Sequence, residues 1–181
     1  MEMTGEQLIP AAQAEVWRGL NDPEVLKASI SGCESIEKLT DTEYAVVTTV
    51  TIGPVKARFR GKLALADLDP PNSYSLSFDG QGGAAGFGKG AAKVWLATEG
   101  AGTRLRYTVK AQVGGKLAQI GSRLIDGVAK KMADDFFAAF NQKIAGPAAA
   151  AEPAAEAAPG AAPLWWVVAT IAAMFLLAYY T

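Results

Sequence analysis

Alternation of apolar and polar positions dominates the chain from residue 44 to residue 111. Tyr44, Val46, Thr48, Val50 and Ile52 fall on one face. Beyond Gly53-Pro54, the residues Val55, Ala57, Phe59, Gly61, Leu63 and Leu65 alternate with Lys56, Arg58, Arg60 and Lys62. Tyr74, Leu76 and Phe78 alternate with serines and Asp79. Ala92, Val94 and Leu96 alternate with Lys93 and Trp95. Thr103, Leu105, Tyr107, Val109 and Ala111 alternate with Arg104, Arg106 and Lys110. A period of two puts one side of each segment inward and one outward, which predicts half-buried strands. Pro70-Pro71-Asn72 and Gly100-Ala101-Gly102 supply turns between them.

The flanks read differently. Thr4 to Ile9 is predicted as a first strand. Pro10 then opens a short helix to Leu20, with Val16, Trp17 and Leu20 on one side. Asp22-Pro23-Glu24 is a cap followed by proline in the first turn of a second helix, with Leu26 and Ile30 inward. Gly114-Gly115 ends the strands. From Lys116 to Ile144 a stripe of Leu117, Ile120, Leu124, Val128, Met132, Phe136 and Phe140 recurs every three or four residues. That spacing predicts one long helix. Strand, two short helices, about six antiparallel strands and a long helix make an α+β domain over residues 1–145. Its curved sheet has one apolar face, and the long helix is the element large enough to cover it.

The C-terminal part follows other rules. Gly146 to Pro163 is Ala/Pro-rich low complexity with no core-forming residues, so it reads as a linker. Extended, it reaches roughly 55 Å. Leu164 to Tyr180, LWWVVATIAAMFLLAYY, is uncharged and about 17 residues long, the short end of a membrane-spanning helix. Trp165-Trp166 and Tyr179-Tyr180 place aromatic pairs at both ends, where rings prefer the headgroup layer. The competing readings are a buried core helix and a peripheral amphipathic helix. The segment has no polar face and follows a linker, which favours spanning. The N-terminus has no basic region followed by an apolar run, so no secretory signal is read. The expectation is a single-pass tail anchor in the cell membrane, with the domain on the cytoplasmic side.

Composition removes function classes. The chain has no histidine, one cysteine and a formal net charge of -1. Without histidine, Ser-His-Asp and Cys-His nucleophile systems are impossible, and the commonest metal ligand is missing. One cysteine forms no internal disulfide, and thiolate zinc sites need several. No metal site and no catalytic residue is expected. Cys33 reads as a structural thiol, since no evident cation activates it.

The inward positions are short of bulk. Ala57, Gly61, Gly80, Gly88, Gly90 and Ala92 stand where a packed core wants Val, Ile or Leu, and the helix adds Gly121 and Gly127. Two readings stay open. The missing volume is a cavity that takes a guest, or the glycines are bulges that bend the sheet around an ordinary core. In the first reading the walls are Phe59, Leu63, Leu76, Phe78, Val94, Leu96, Tyr107, Ile120, Leu124 and Val128. The guest is then apolar, with one polar end met by Tyr107 or Thr48. The glycine-rich stretch from Gly80 to Ala92 invites comparison with a dinucleotide fingerprint. Strands are expected on both sides of it, where the fingerprint needs a strand and then a helix. It reads instead as a lip around Phe87 over the pocket, or as a plain hairpin.

The outward strand faces carry Lys56, Arg58, Arg60, Lys62, Lys89, Lys93, Arg104, Arg106 and Lys110, with Trp95 among them. Few acids share those faces, Asp79 and Glu99 being the ones noted. The expected docking set is Lys56, Arg58, Arg60, Lys62, Lys93, Trp95, Arg104 and Arg106, facing anionic headgroups or an acidic protein. Nucleic acid is not expected, because the tail puts the domain at a membrane.

Several segments, in order and with similar spacing, resemble the CoxG family of carbon monoxide dehydrogenase proteins, in the START/Bet v 1-like (SRPBCC) superfamily. They are Gly5-Glu6 with Ile9-Pro10, VWRGLNDPEVL at Val16 to Leu26, SGCES at Ser31 to Ser35, IGPVKARFRGK at Ile52 to Lys62, GGKLAQIGSRLID at Gly114 to Asp126, and Phe136-Phe137. Ser31 departs from the family, which usually has proline before Gly-Cys. The resemblance implies a helix-grip fold with an apolar cavity. It implies an accessory, non-enzymatic role for molybdenum-containing CO dehydrogenase: membrane attachment and passage of electrons to respiratory quinone. It implies no covalent cofactor, and a quinone-type lipid such as menaquinone or ubiquinone as the guest. Its implied partners are the membrane and the molybdenum hydroxylase complex. The alternatives are a pure anchor with a packed interior, and a lipid-binding enzyme of the same superfamily.

Overall fold

The computed structural model describes residues 1–145; the expected linker (146–163) and spanning helix (164–180) lie outside the described residues. Among the described residues no helix is long and apolar enough to cross a membrane.

The alternating segments form β3 (Glu43–Ile52), β4 (Val55–Asp69), β5 (Ser73–Gln81), β6 (Phe87–Glu99) and β7 (Gly102–Gly114), and two further strands precede them, β1 (Glu2–Ile9) and β2 (Cys33–Lys38). All seven lie in one antiparallel sheet in the order β1-β7-β6-β5-β4-β3-β2. The sheet is therefore a meander from β2 to β7, with β1 added beside β7. Helices α1 (Gln13–Leu20) and α2 (Pro23–Ser29) connect β1 to β2. The Asp22 side chain accepts a hydrogen bond from the Glu24 N–H at 2.9 Å and Pro23 fills the first turn, as the cap pattern predicts.

The single long helix expected from Lys116 to Ile144 is broken. A short α3 (Lys116–Ile120) is followed by α4 (Ser122–Ala145). Gly121 lies between them at φ +101°, outside helical space. Only glycine adopts that conformation cheaply, so the chain turns here and α4 restarts with a new phase. The first strand also begins earlier than expected, at Glu2, which adds Met3 to the sheet.

One end of the domain is solidly packed. Val16 and Leu20 of α1 meet Phe137 and Phe140 of α4 over Ile9, Tyr74, Val94, Leu96 and Leu105 of the sheet. Phe140 and Val16 are fully buried. The Phe136 and Phe140 rings stack at 5.7 Å, and Trp17 meets Tyr74 edge-on at 5.6 Å. Thr103, also fully buried, donates its hydroxyl to the Ala11 carbonyl at 2.7 Å and so satisfies the bend into α1. Each such apolar side chain contributes about 1.5–3 kcal/mol by leaving water. The other end, under the first half of α4, is packed differently.

Candidate ligand-binding cavity

The floor of that second end is a row of residues without side chains. Gly61 of β4 lies opposite Gly80 of β5, and Gly80 lies opposite Gly88 of β6. Val46 and Val113 end the row on β3 and β7. Directly opposed residues share a face, so three glycines in neighbouring strands all leave the interior open. At Gly80 and Gly88 an added Cβ would meet nothing nearer than 3.7 Å and 4.0 Å. Gly61 differs, since a Cβ there would stand 2.2 Å from the Asp79 carbonyl oxygen. That close backbone approach demands glycine.

A second device keeps bulk low. Phe78 lies opposite Gly90 and Tyr107 opposite Gly5. Each ring sits where the glycine's Cβ would be, 2.8 Å or less from that point, and Phe59 covers Gly82 in the same way. Rings laid over glycines shield the backbone and lie along the sheet instead of rising from it. Phe59 and Phe78 therefore form the floor of a space rather than filling it.

The result is a cavity of about 390 Å³ between the sheet and the α3–α4 segment, the size of a small-molecule site. Val46, Thr48, Val50 and Ile52 of β3 line one side. Val109, Ala111 and Val113 of β7 line the other, with Met1 and Met3 beyond them. Leu117 of α3 and Ile125, Val128, Ala129 and Met132 of α4 form the roof. The inward polar side chain is Thr48, whose hydroxyl reaches the Ser31 carbonyl at 3.4 Å. Lys62, Asp79 and Gln112 also border the space, but they belong to the outward-facing set of their strands. An apolar wall with one inward hydroxyl suits an apolar guest.

The residues expected as walls divide. Phe59, Leu63, Phe78 and Val128 line the cavity. Val94 and Leu96 are buried in the packed end, where Leu76 and Tyr107 rest against the same cluster. Tyr107 stacks on Phe137 at 5.6 Å and borders a separate polar crevice with Asp126, Lys130 and Asp134. Burial, then the charge of Asp134, raises its phenol pKa. Leu124 is 44% exposed and Ile120 stands beside it at the rim. The break at Gly121 explains this: it rotates α4 so that Ile125 turns inward where an unbroken helix would bury Leu124. Phe87 is on the outer face, paired with Gln81, because β6 starts at Phe87 and brings alternate residues outward. It is no lip over the cavity. Gly127 faces solvent and leaves no internal space. Leu117 and Met132 stand on the predicted stripe but not among the expected walls, whereas the roof residues Ile125 and Ala129 and the edge residues Met1 and Met3 escape notice in the sequence because of the unmarked break and the earlier start of β1.

The outer sheet face is less basic than the strands suggest. Arg58 pairs with Glu34 at 2.6 Å, Arg106 with Glu6 at 3.3 Å and Lys110 with Glu2 at 3.1 Å. Arg104 pairs with both Glu6 and Glu99. Glu2, Glu6 and Glu34 come from β1 and β2, strands outside the alternation that drew attention to the bases. Hydrogen bonds from Arg58 hold the Glu34 carboxyl below the usual carboxylate range, and Arg104 does the same for Glu99. Lys56, Arg60, Lys62, Lys89 and Lys93 form no ion pair among the described residues. Lys89 stands 5.6 Å from the Phe87 ring, and Trp95 is 43% exposed on the same face. Cys33 is half-buried. Burial pushes its thiol pKa up, which opposes reactivity.

The sequence profile of the CoxG family, the CoxG subunit of carbon monoxide dehydrogenase, matches residues 5–145. No curated protein matches the chain. A conserved protein from Geobacillus kaustophilus, known from its crystal structure, is 34% identical with a TM-score of 0.76, over 80% of this chain and 95% of that one. A Thermus thermophilus protein is 18% identical with a TM-score of 0.61, over 80% and 97%. Ara h 8.0201 is 14% identical with a TM-score of 0.58, also over 80% and 97%. The last two speak for the fold alone, an antiparallel sheet closed by a C-terminal helix.

Proposed function

This chain belongs to the CoxG family of carbon monoxide dehydrogenase proteins, and on that premise we propose that it is a membrane-tethered carrier of an apolar, quinone-type lipid. It serves a molybdenum-containing CO dehydrogenase as an accessory protein and does not itself catalyse a reaction. The observation that carries the reading is the glycine row Gly61–Gly80–Gly88 beneath an apolar roof. A pure anchor has no use for a hollow of about 390 Å³, because unfilled apolar space weakens a domain. The lining accounts for an apolar ring, with the Thr48 hydroxyl as a polar contact. A long isoprenoid tail exceeds the cavity and leaves through its open rim.

Two further parts belong to the same proposal. The uncharged Leu164–Tyr180 segment tethers the chain to the cell membrane, with the domain on the cytoplasmic side. The outer sheet face receives the enzyme through Lys56, Arg60, Lys62, Lys89 and Lys93, the bases of that face that form no ion pair among the described residues.

The test is extraction of the purified full chain followed by mass spectrometry, with titration of the emptied protein by menaquinone and ubiquinone. Bound quinone and saturable uptake are expected. Repeated empty extractions with no uptake leave an anchor instead.

A further inference from the structure

We propose that the edge formed by the α3–α4 corner and the β3–β4 turn is a docking surface for an anionic lipid bilayer, which brings the cavity rim into contact with the acyl chains. The inference rests on the carrier reading and adds where the lipid passes.

The rim is identified by contacts. A methyl carbon of Leu124 stands 2.9 Å from the point a Cβ on Gly53 would occupy, and one of Ile120 stands 3.9 Å from it. Ile52, Leu117 and Ile125, close by in the chain, line the cavity. Leu124 and Ile120 thus form the outermost apolar layer between the helical corner and the strand turn. Leu124 is 44% exposed, an apolar side chain in water directly over an apolar hollow.

Charge selects the occupant. The rim carries Lys116 at the start of α3 and Arg123 beside Leu124. Both are exposed and neither forms an ion pair among the described residues. Asp126 is the acid closest in sequence to Arg123. Apolar tips flanked by these cations match an anionic headgroup layer over hydrocarbon. The other exposed apolar residue at the cavity, Met1, lies among charges of both signs, Glu2, Glu43 and Asp79 beside Lys62, Lys89 and Lys110, and so lacks the one-signed setting of Leu124.

The experiment places an environment-sensitive fluorophore on Leu124→Cys in the full chain carrying Cys33→Ser. Vesicles are made of phosphatidylcholine alone or with phosphatidylglycerol. A matching probe goes on Leu39→Cys, an exposed site on the β2–β3 connection (48% exposed). With anionic vesicles the 124 probe is expected to shift to the blue and to be quenched by lipids labelled in the acyl chain, while the 39 probe stays aqueous. Lys116→Glu with Arg123→Glu restores water-like emission at 124. A 124 probe that stays aqueous on anionic vesicles, or insertion equal at both sites, overturns the proposal. Quinone content of the same labelled protein is measured alongside. Retained quinone with an aqueous 124 probe sinks the docking edge alone. Insertion by a protein that never takes up quinone supports the edge and removes the carrier.

Discussion

Gly80 and Gly88 face one another across the β5–β6 pair, and neither puts a side chain into the interior. Room exists at both, since the nearest atoms to an added Cβ are 3.7 Å and 4.0 Å away. Gly80→Val and Gly88→Val, alone and together, are therefore expected to fold and to fill the floor of the cavity. Quinone uptake falls stepwise and is lost in the double variant, while the circular dichroism spectrum stays that of the parent. Undiminished uptake by the folded double variant places the ligand elsewhere.

Gly61 provides the contrast. Its Cβ would stand 2.2 Å from a backbone oxygen, not from a side chain that can move aside. Gly61→Ala is expected to destabilise the domain by roughly 1–3 kcal/mol through forced backbone shifts. Urea denaturation of Gly61→Ala beside Gly80→Ala measures the difference, with little change at Gly80.

Stability and binding should separate along the domain. Phe140 is fully buried in the packed end and does not line the cavity. Phe140→Ala is expected to cost about 3–5 kcal/mol of stability. Quinone affinity of the protein still folded at low temperature should stay that of the parent. A large loss of affinity in that fraction means the two ends are coupled.

Alkaline pH should loosen the packed end first. Burial pushes the Tyr74 phenol well above its ordinary value of 10.0, with the nearby Tyr44 adding to the shift. A raised folded pKa means stability that is complete below the unfolded value and lost as pH rises towards the folded one. Thermal midpoints are expected to fall above about pH 10. Tyr74→Phe removes one titrating group, so its decline over the same range should be shallower. An identical decline shows that Tyr74 does not govern the alkaline limb.

Partner binding should follow the unpaired bases. Lys62→Glu, Lys89→Glu and Lys93→Glu together are expected to abolish salt-sensitive capture of CO dehydrogenase in pull-downs. Arg104→Glu breaks internal pairs to Glu6 and Glu99, so its effect on capture should be smaller than its effect on thermal stability. Equal capture by the triple variant and the parent moves the interface off this face.

Most of the strand pattern was legible because side-chain direction in a strand has a period of two, a local property. The inward set of β3 to β7, the Asp22-Pro23 helix start and the shortage of inward bulk at Gly61, Gly80 and Gly88 could all be read along the chain. What could not be read was which inward residues meet. Val94 and Phe78 have the same character and direction, yet Val94 ends in the packed cluster and Phe78 over the hollow. Their places depend on where α1 and α4 cross the sheet. A helix stripe is also legible only while its phase is unbroken. One glycine at φ +101° exchanged Leu124 for Ile125.

Local chemistry along the chain was enough to determine the element order, the apolar interior and the absence of histidine-based catalysis, because each depends on residue type and spacing alone. Tertiary structure decided where the missing volume collects, which bases keep their charge unpaired, and which apolar residue stands at the rim. Those three depend on strands and helices far apart in sequence. Glu6 neutralises Arg104, and Leu124 reaches Gly53, only after the sheet has curled and the helix has settled across it.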